Sequence, residues 1–169
     1  MKFADKKGSL LISLFVKMNM KMKLFKSVML LSCICFATLA CNSDSQEEKD
    51  EKKINDYLEE NNLDAESTES GLHYIINVPG NNEHPEQTDQ VRIAYVGTLL
   101  NGNLFDSSTS STFPLNQLIA GLREGIPLLG KGGEGTFILP SELGYGDSNS
   151  NPSIPANSVL IFEVTLIDF

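Results

Sequence analysis

Beyond Gly71 the apolar residues recur at every second position, in short runs separated by turn residues, and that period restricts the chain to strands with two unlike faces. Leu72, Tyr74, Ile76 and Val78 alternate with His73, Ile75 and Asn77, and Pro79-Gly80-Asn81-Asn82 ends the run. Val91, Ile93 and Tyr95 begin a second strand that reaches about residue 100. Asn101-Gly102 follows, a strong hairpin signal because both residue types accept positive φ. Residues 103–105 pair back, and after Asp106 a Ser/Thr-rich loop runs to Thr112. Leu115, Leu118, Ile119 and Leu122 keep helical spacing, predicting a helix over 115–124 that ends before Pro127. Residues 136–139 read as a strand stopped by Pro140, residues 141–157 as a Gly/Asn/Ser/Pro loop, and residues 159–169 as a strand dense in Val, Ile, Leu and Phe. The pattern predicts an α+β domain over 71–169: an antiparallel β-sheet of about five strands with one short α-helix.

The segment before Gly71 has another character. Residues 42–70 are polar and charged, with Glu47-Glu48-Lys49-Asp50-Glu51-Lys52-Lys53 at the centre, too little apolar area to fold alone. Ile54, Tyr57 and Leu58 lie at i, i+3, i+4, so a short amphipathic helix fits there. In isolation it would be marginal, and the expectation is an acidic, solvated tether over 41–70.

The front of the chain reads as an address. Lys21, Lys23 and Lys26 precede an apolar run over 28–40 that ends in small residues before Cys41, the pattern of a signal peptide over 1–40. The run is shorter than a comfortable span of about 20 residues. Thr38-Leu39-Ala40-Cys41 resembles a bacterial lipobox, in which the Cys is acylated and becomes the new N-terminus; Thr38 stands where Leu is expected. Leu30-Leu31-Ser32-Cys33 fits less well, and an uncleaved signal anchor is the alternative. Residues 1–19 carry a second, shorter apolar patch and are expected to precede the true start, at Met18, Met20 or Met22. These readings imply a lipid-anchored protein of the bacterial cell envelope, at the outer membrane, on a face left open.

Residues 1–40 hold seven of the 13 Lys and Arg and one of the 22 acids, so the chain from Cys41 onward is strongly acidic. That argues against nucleic acid as a partner, because phosphates demand clustered cations. No cysteine follows Cys41, which removes disulfides, thiolate metal sites and a Cys nucleophile from the domain. The two histidines, His73 and His84, have no carboxylate or Cys partners at metal-ligand spacing. There is no phosphate-binding Gly loop and no Gly-x-Ser-x-Gly elbow. Neither a metal nor another cofactor is expected.

What remains is a set of six segments: Val91-Arg92-Ile93-Ala94-Tyr95-Val96-Gly97, Phe105-Asp106-Ser107-Ser108, Ile119-Ala120-Gly121-Leu122-Arg123-Glu124-Gly125, Leu139-Pro140-Ser141-Glu142-Leu143-Gly144-Tyr145-Gly146, Ile154-Pro155-Ala156 and Leu160-Ile161-Phe162-Glu163-Val164. In order and spacing they resemble the FKBP-type peptidyl-prolyl cis-trans isomerases. The resemblance implies a twisted antiparallel sheet wrapped around one short helix, with an apolar substrate pocket between helix and sheet. It implies catalytic roles for Tyr95, Asp106 and Tyr145. Asp106 would face the substrate carbonyl region, Tyr145 would donate to a substrate backbone carbonyl, and Tyr95 would hydrogen-bond within that cluster. It implies substrate binding by Phe105, Phe113, Ile119, Leu122, Ile154 and Phe162. Tyr95 and Phe162 also suit plain core packing, and Asp106 suits a turn cap.

Such a site fits rotation about X-Pro bonds in exported proteins. The reaction moves no proton to an external base, which agrees with the missing triads. The rival reading is a binding module that captures Pro-containing segments of an envelope or surface machine without useful turnover. The main departure from the family is Leu122, where highly active relatives carry Trp. Weak binding of the family's macrolide inhibitors is therefore expected. Pro127 and Asn149-Ser150-Asn151 also depart from the pattern.

Overall fold

The structure is a computed structural model that describes residues 45–147 and 151–169. The signal-peptide and Cys41 readings lie outside the described residues, as do Asn149 and Ser150. The described residues belong to one compact unit. They form helix α1 (Gln46–Asn61), strands β1 (Glu66–Ser67), β2 (His73–Val78), β3 (Gln90–Leu99) and β4 (Leu104–Pro114), helix α2 (Ala120–Gly125), and strands β5 (Glu134–Leu139) and β6 (Leu160–Asp168). All pairings are antiparallel, in the order β1-β2-β5-β6-β3-β4. The sheet has six strands rather than about five: the two-residue β1 is too short to leave a periodic signal.

Alternation along the central strands feeds two separate cores. Phe137 and Leu139 of β5, with Leu160, Phe162, Val164 and Leu166 of β6, turn toward α2 and join Val91, Ile93, Leu115, Leu122, Ile126 and Ile154 in the main core. Ile138 and Ile161, one residue out of step, turn the other way. With Val159 they form a second buried cluster against Ile54 of α1, flanked by Tyr57, Leu58 and Leu100.

That second core corrects the expectation of a solvated tether. Helix α1 runs for 16 residues, and Ile54 and Asp50 are fully buried. A capping box starts it: the Ser45 hydroxyl accepts from the Glu48 N–H at 3.2 Å, and the Ser45 N–H donates to Glu48 Oε2 at 2.9 Å. Glu47 and Glu48 also suit the positive end of the helix dipole. Asn62 stops it in the left-handed conformation, and the Leu63 N–H donates to the Leu58 carbonyl at 2.9 Å. The helix holds because tertiary packing supplies what its polar sequence lacks.

Two local expectations also change. The Ser/Thr stretch after Asp106 is strand β4 rather than a loop; it pairs with β3 through a register shift between Ile93 and Tyr95. At a sheet edge, strand pairing needs no apolar face, so the stretch carries no period-2 signal. The spacing of Leu115, Leu118, Ile119 and Leu122 merges two pieces: a 3₁₀ turn at Leu115–Gln117, then α2, separated by extended Leu118 and Ile119. Residues three apart share a face in both helix types, so the periodicity could not separate them. In the β3–β4 turn only Gly102 has positive φ, with the Gly102 N–H donating to the Leu99 carbonyl at 2.9 Å.

Helix α2 sits close enough to the sheet to roof the main core because its inner face carries glycine. A Cβ on Gly121 would collide with the Leu139 side chain, and one on Gly125 would lie 2.7 Å from the Phe137 ring. Leu122 points into the same core and is 5% exposed.

Replacing Ile54 with Ala should cost about 2–5 kcal/mol of unfolding free energy, as for other fully buried aliphatic side chains. Urea unfolding of the two forms measures it. A change within about 0.5 kcal/mol, the usual effect of a surface substitution, would mean α1 contributes nothing to the fold.

Candidate active site

The site residues named from the sequence converge at the α2 end of the main core. Leu122, Ile154 and Phe162 are buried in the core, and Tyr95, Phe105, Phe113 and Ile119 pack against it half-buried. The rings face one another: Phe105 meets Phe162 edge-on at 5.4 Å between centroids, while Tyr95 lies 6.3 Å from Phe162 and 6.2 Å from Phe113, both tilted. These are attractive aromatic geometries.

Strand register brings them together. Gly97 of β3 stands between Asp106 on β4 and Phe162 on β6, and Tyr95 pairs with Ser108 and Val164. A Cβ on Gly97 would lie 2.7 Å from the Phe105 ring and 3.1 Å from Phe162. Gly97 thus leaves the space in which Phe105 lies down against Phe162. Gly97 ends the Val91–Gly97 motif, and the resemblance assigns it no role. Its signal was a glycine inside an otherwise regular strand, where a close approach is the expected reason.

The polar members form the exposed rim. The Tyr95 hydroxyl donates to Asp106 Oδ2 at 2.8 Å, and the Ser107 N–H donates to Asp106 Oδ1 at 2.8 Å. The carboxylate is thus held at both oxygens while remaining exposed. Burial, and then the hydrogen bond and charge of Asp106, push the Tyr95 hydroxyl up to about 12. Burial, followed by the negative charge of Asp106, raises the Tyr145 hydroxyl as well. Tyr145 is 39% exposed. Both tyrosines are therefore neutral O–H groups at physiological pH, one committed to Asp106 and one presented at the rim.

A wider groove, about 720 Å³, lies on the opposite face of the sheet, lined by Ala94, Val96, Thr136, Glu163 and Thr165 among others. Most of its side chains alternate with those of the aromatic cluster along each strand, but Tyr95 and Val164 line it as well. No group of three or more His, Cys, Asp or Glu side chains suited to a metal ion occurs among the described residues.

A family model described as FKBP-type peptidyl-prolyl cis-trans isomerase matches residues 81–167. The chain is 43% identical over 131 residues to the FKBP-type peptidyl-prolyl cis-trans isomerase FkpA of Aeromonas hydrophila, covering 74% of this chain and 48% of that protein. It is 40% identical over 118 residues to the FKBP-type 22 kDa peptidyl-prolyl cis-trans isomerase of Escherichia coli, covering 66% and 57%. The chain thus spans about half the length of these relatives. The crystal structure of FkpA from Escherichia coli superposes with a TM-score of 0.64 at 27% identity, covering 99% of this chain and 97% of that one.

The raised Tyr95 hydroxyl gives a signed pH expectation. Its folded pKa, about 12, lies above the ordinary tyrosine value of 10.0. Its contribution to stability is therefore full below pH 10 and is lost as pH rises toward 12. Tyrosinate absorbance, wild type minus Tyr95→Phe, should show one component titrating near 12. A component at the ordinary value would mean that neither the burial of Tyr95 nor its bond to Asp106 persists in solution.

Proposed function

The chain belongs to the FKBP-type peptidyl-prolyl cis-trans isomerases, and from that premise we propose that it catalyses cis/trans rotation of X-Pro bonds in exported polypeptides. The observation that carries this reading is the aromatic cluster of Tyr95, Phe105, Phe113 and Phe162 on the core that buries Leu122, with a rim of neutral hydroxyls and one carboxylate.

The chemistry follows from the amide. Rotation costs about 18–20 kcal/mol because twisting destroys resonance, and uncatalysed exchange takes tens to hundreds of seconds. The twisted amide is less dipolar than the planar one, and water favours the planar form. A cup of Phe, Ile and Leu removes that bias, so the proline ring enters apolar surroundings and the barrier falls. Each 1.4 kcal/mol removed is about tenfold in rate. Tyr145 donates to a substrate backbone carbonyl and fixes the chain flanking the proline. Asp106, pinned by Tyr95 and the Ser107 N–H, faces the amide carbonyl region.

The macrolides that other members of the family bind should occupy the same cup, weakly, because Leu122 offers less area than an aromatic floor. At about 25 cal/mol per Å² of apolar area, a deficit of tens of Å² is worth on the order of 1–2 kcal/mol.

We also propose that Cys41 carries lipid and tethers the protein to a membrane of the bacterial envelope. Support comes from the basic, apolar and small-residue succession ending at Cys41. Helix α1 is capped at Ser45, four residues on. Mass spectrometry of the mature N-terminus tests this; an intact leader, or cleavage without an acyl chain, overturns it.

For the enzyme itself, cis-to-trans exchange of a short X-Pro peptide is the measurement. Asp106→Ala and Tyr145→Phe should each lower kcat/KM about tenfold, near 1.4 kcal/mol, with melting temperatures little changed because both residues are exposed. Full activity in both would remove the polar rim from the mechanism. Leu122→Trp should tighten macrolide binding about 5–30-fold, provided the buried site accepts the larger ring without overpacking. A folded Trp variant that binds no tighter would place the floor elsewhere.

A further inference from the structure

The buried carboxylate of Asp50 has no place in the chemistry above, and it lies outside the segment that defines the family. It is fully buried on α1. Its Oδ1 accepts from Lys53 Nζ at 2.7 Å and from Gln46 Nε2 at 2.8 Å, both on its own helix. Its Oδ2 accepts from the backbone N–H of Ser141 at 2.9 Å, across 91 residues of sequence. An ion taken out of water is costly unless every acceptor is used, and here both oxygens are engaged. Burial pushes the carboxyl up, but the contacts from Lys53 and Ser141 outweigh it and hold the group below the ordinary carboxylate range.

Ser141 is the point where the helix meets the site. It opens the 3₁₀ turn Ser141–Leu143 that leads to Tyr145. Its carbonyl accepts from the Gly144 N–H at 3.0 Å and from the Gly146 N–H at 2.8 Å, the two residues that bracket Tyr145. The other side of Gly146 is tied as well: its carbonyl accepts from the Asn157 N–H at 2.8 Å, and the Asn157 carbonyl receives Lys53 Nζ at 3.4 Å. Two chains of hydrogen bonds therefore leave the Asp50–Lys53 ion pair and close on the residue next to Tyr145. Packing anchors the start of the turn, where Leu143 lies against the main core, but not Tyr145 itself. Tyr145 is outside both hydrophobic cores, and glycine on either side leaves its backbone free to turn.

We propose that Asp50, with Lys53, is a positioning residue for Tyr145: the ion pair on α1 clamps the Ser141–Gly146 turn and so aims the Tyr145 hydroxyl at the substrate backbone. The proposal rests on the isomerase reading of the site. It makes α1 part of the working enzyme rather than a spacer, and it assigns the coupling to an electrostatic contact rather than to the apolar contact of Ile54.

The test uses the full chain with Asp50→Asn, which keeps the shape, and Asp50→Ala, which removes every acceptor. Circular dichroism and thermal melting establish that each variant is folded; if the Ala form is not, the Asn form carries the measurement. Amide hydrogen exchange at Gly144 and Gly146 should rise at least about tenfold while β5 and β6 amides stay protected. Catalysis is then read as a double-mutant cycle with Tyr145→Phe: the Asp50 change should lower kcat/KM about fivefold in the wild-type background and less than about 1.5-fold when the Tyr145 hydroxyl is already gone. Equal losses in both backgrounds, or unchanged exchange in the turn, would overturn the proposal. Should the wild-type chain show no isomerisation at all, the functional reading falls, and the exchange result alone decides whether Asp50 holds the turn.

Discussion

The pairing of β5 with β6 sets everything else in register. Phe137 stands opposite Phe162 and Ile138 opposite Ile161, so one face of this ribbon belongs to the aromatic site and the other to helix α1. Successive residues point to opposite faces, and a slip of one position would exchange the two sets. Both apolar clusters oppose that slip, since each would expose its members. On its other edge β6 pairs with β3, which places Phe162 beside Gly97, whose missing side chain makes room for Phe105. Fold and site therefore share one constraint.

What could be read from the sequence divides along physical lines. Strand β3 was legible because burial on one face writes a period of two into the residues, and β6 because burial on both faces makes a dense apolar run. The converging site residues, Tyr95, Phe105, Ile119, Leu122, Ile154 and Phe162, were legible through motifs that carry the family's spacing. Strand β4 was not, because an edge strand with solvent on its outer side can be built of Ser and Thr. The docking of α1 was missed for a different reason. Its capping box, Ser45 with Glu48, stands in the sequence, but its stability comes from Ile138, Val159 and Ile161, roughly a hundred residues away. The Asp50–Ser141 contact leaves no local pattern, so a buried aspartate looked like one more charge in an acidic run.

The polar and apolar parts of the site do different work. Rings and aliphatic side chains provide a medium of low polarity, which needs no particular atom in a particular place. In the proposed mechanism the hydroxyl of Tyr145 has to be aimed, and aiming is the expensive part, because Tyr145 is flanked by glycines and lies outside both cores. Backbone hydrogen bonds to Ser141 and Asn157 hold the glycines on either side of it, beyond where Leu143 packs on the core.

The two edges of the sheet have a meaning of their own. On one side the sheet ends in β1, two residues long; on the other it ends in β4, whose outward positions are mostly Ser and Thr. An open edge presents unpaired N–H and C=O groups, a template on which any extended chain can add itself. Incompletely folded polypeptides are rich in extended, unpaired backbone, and a protein that handles them meets such strands continually. A long apolar edge would capture them by backbone pairing, irrespective of proline, and would seed co-aggregation. The β4 flank is hydroxyl-covered, and on the other flank β1 covers only His73 and Tyr74 of β2, so in the proposed isomerase a stray strand finds only Ile75–Val78 to pair with there.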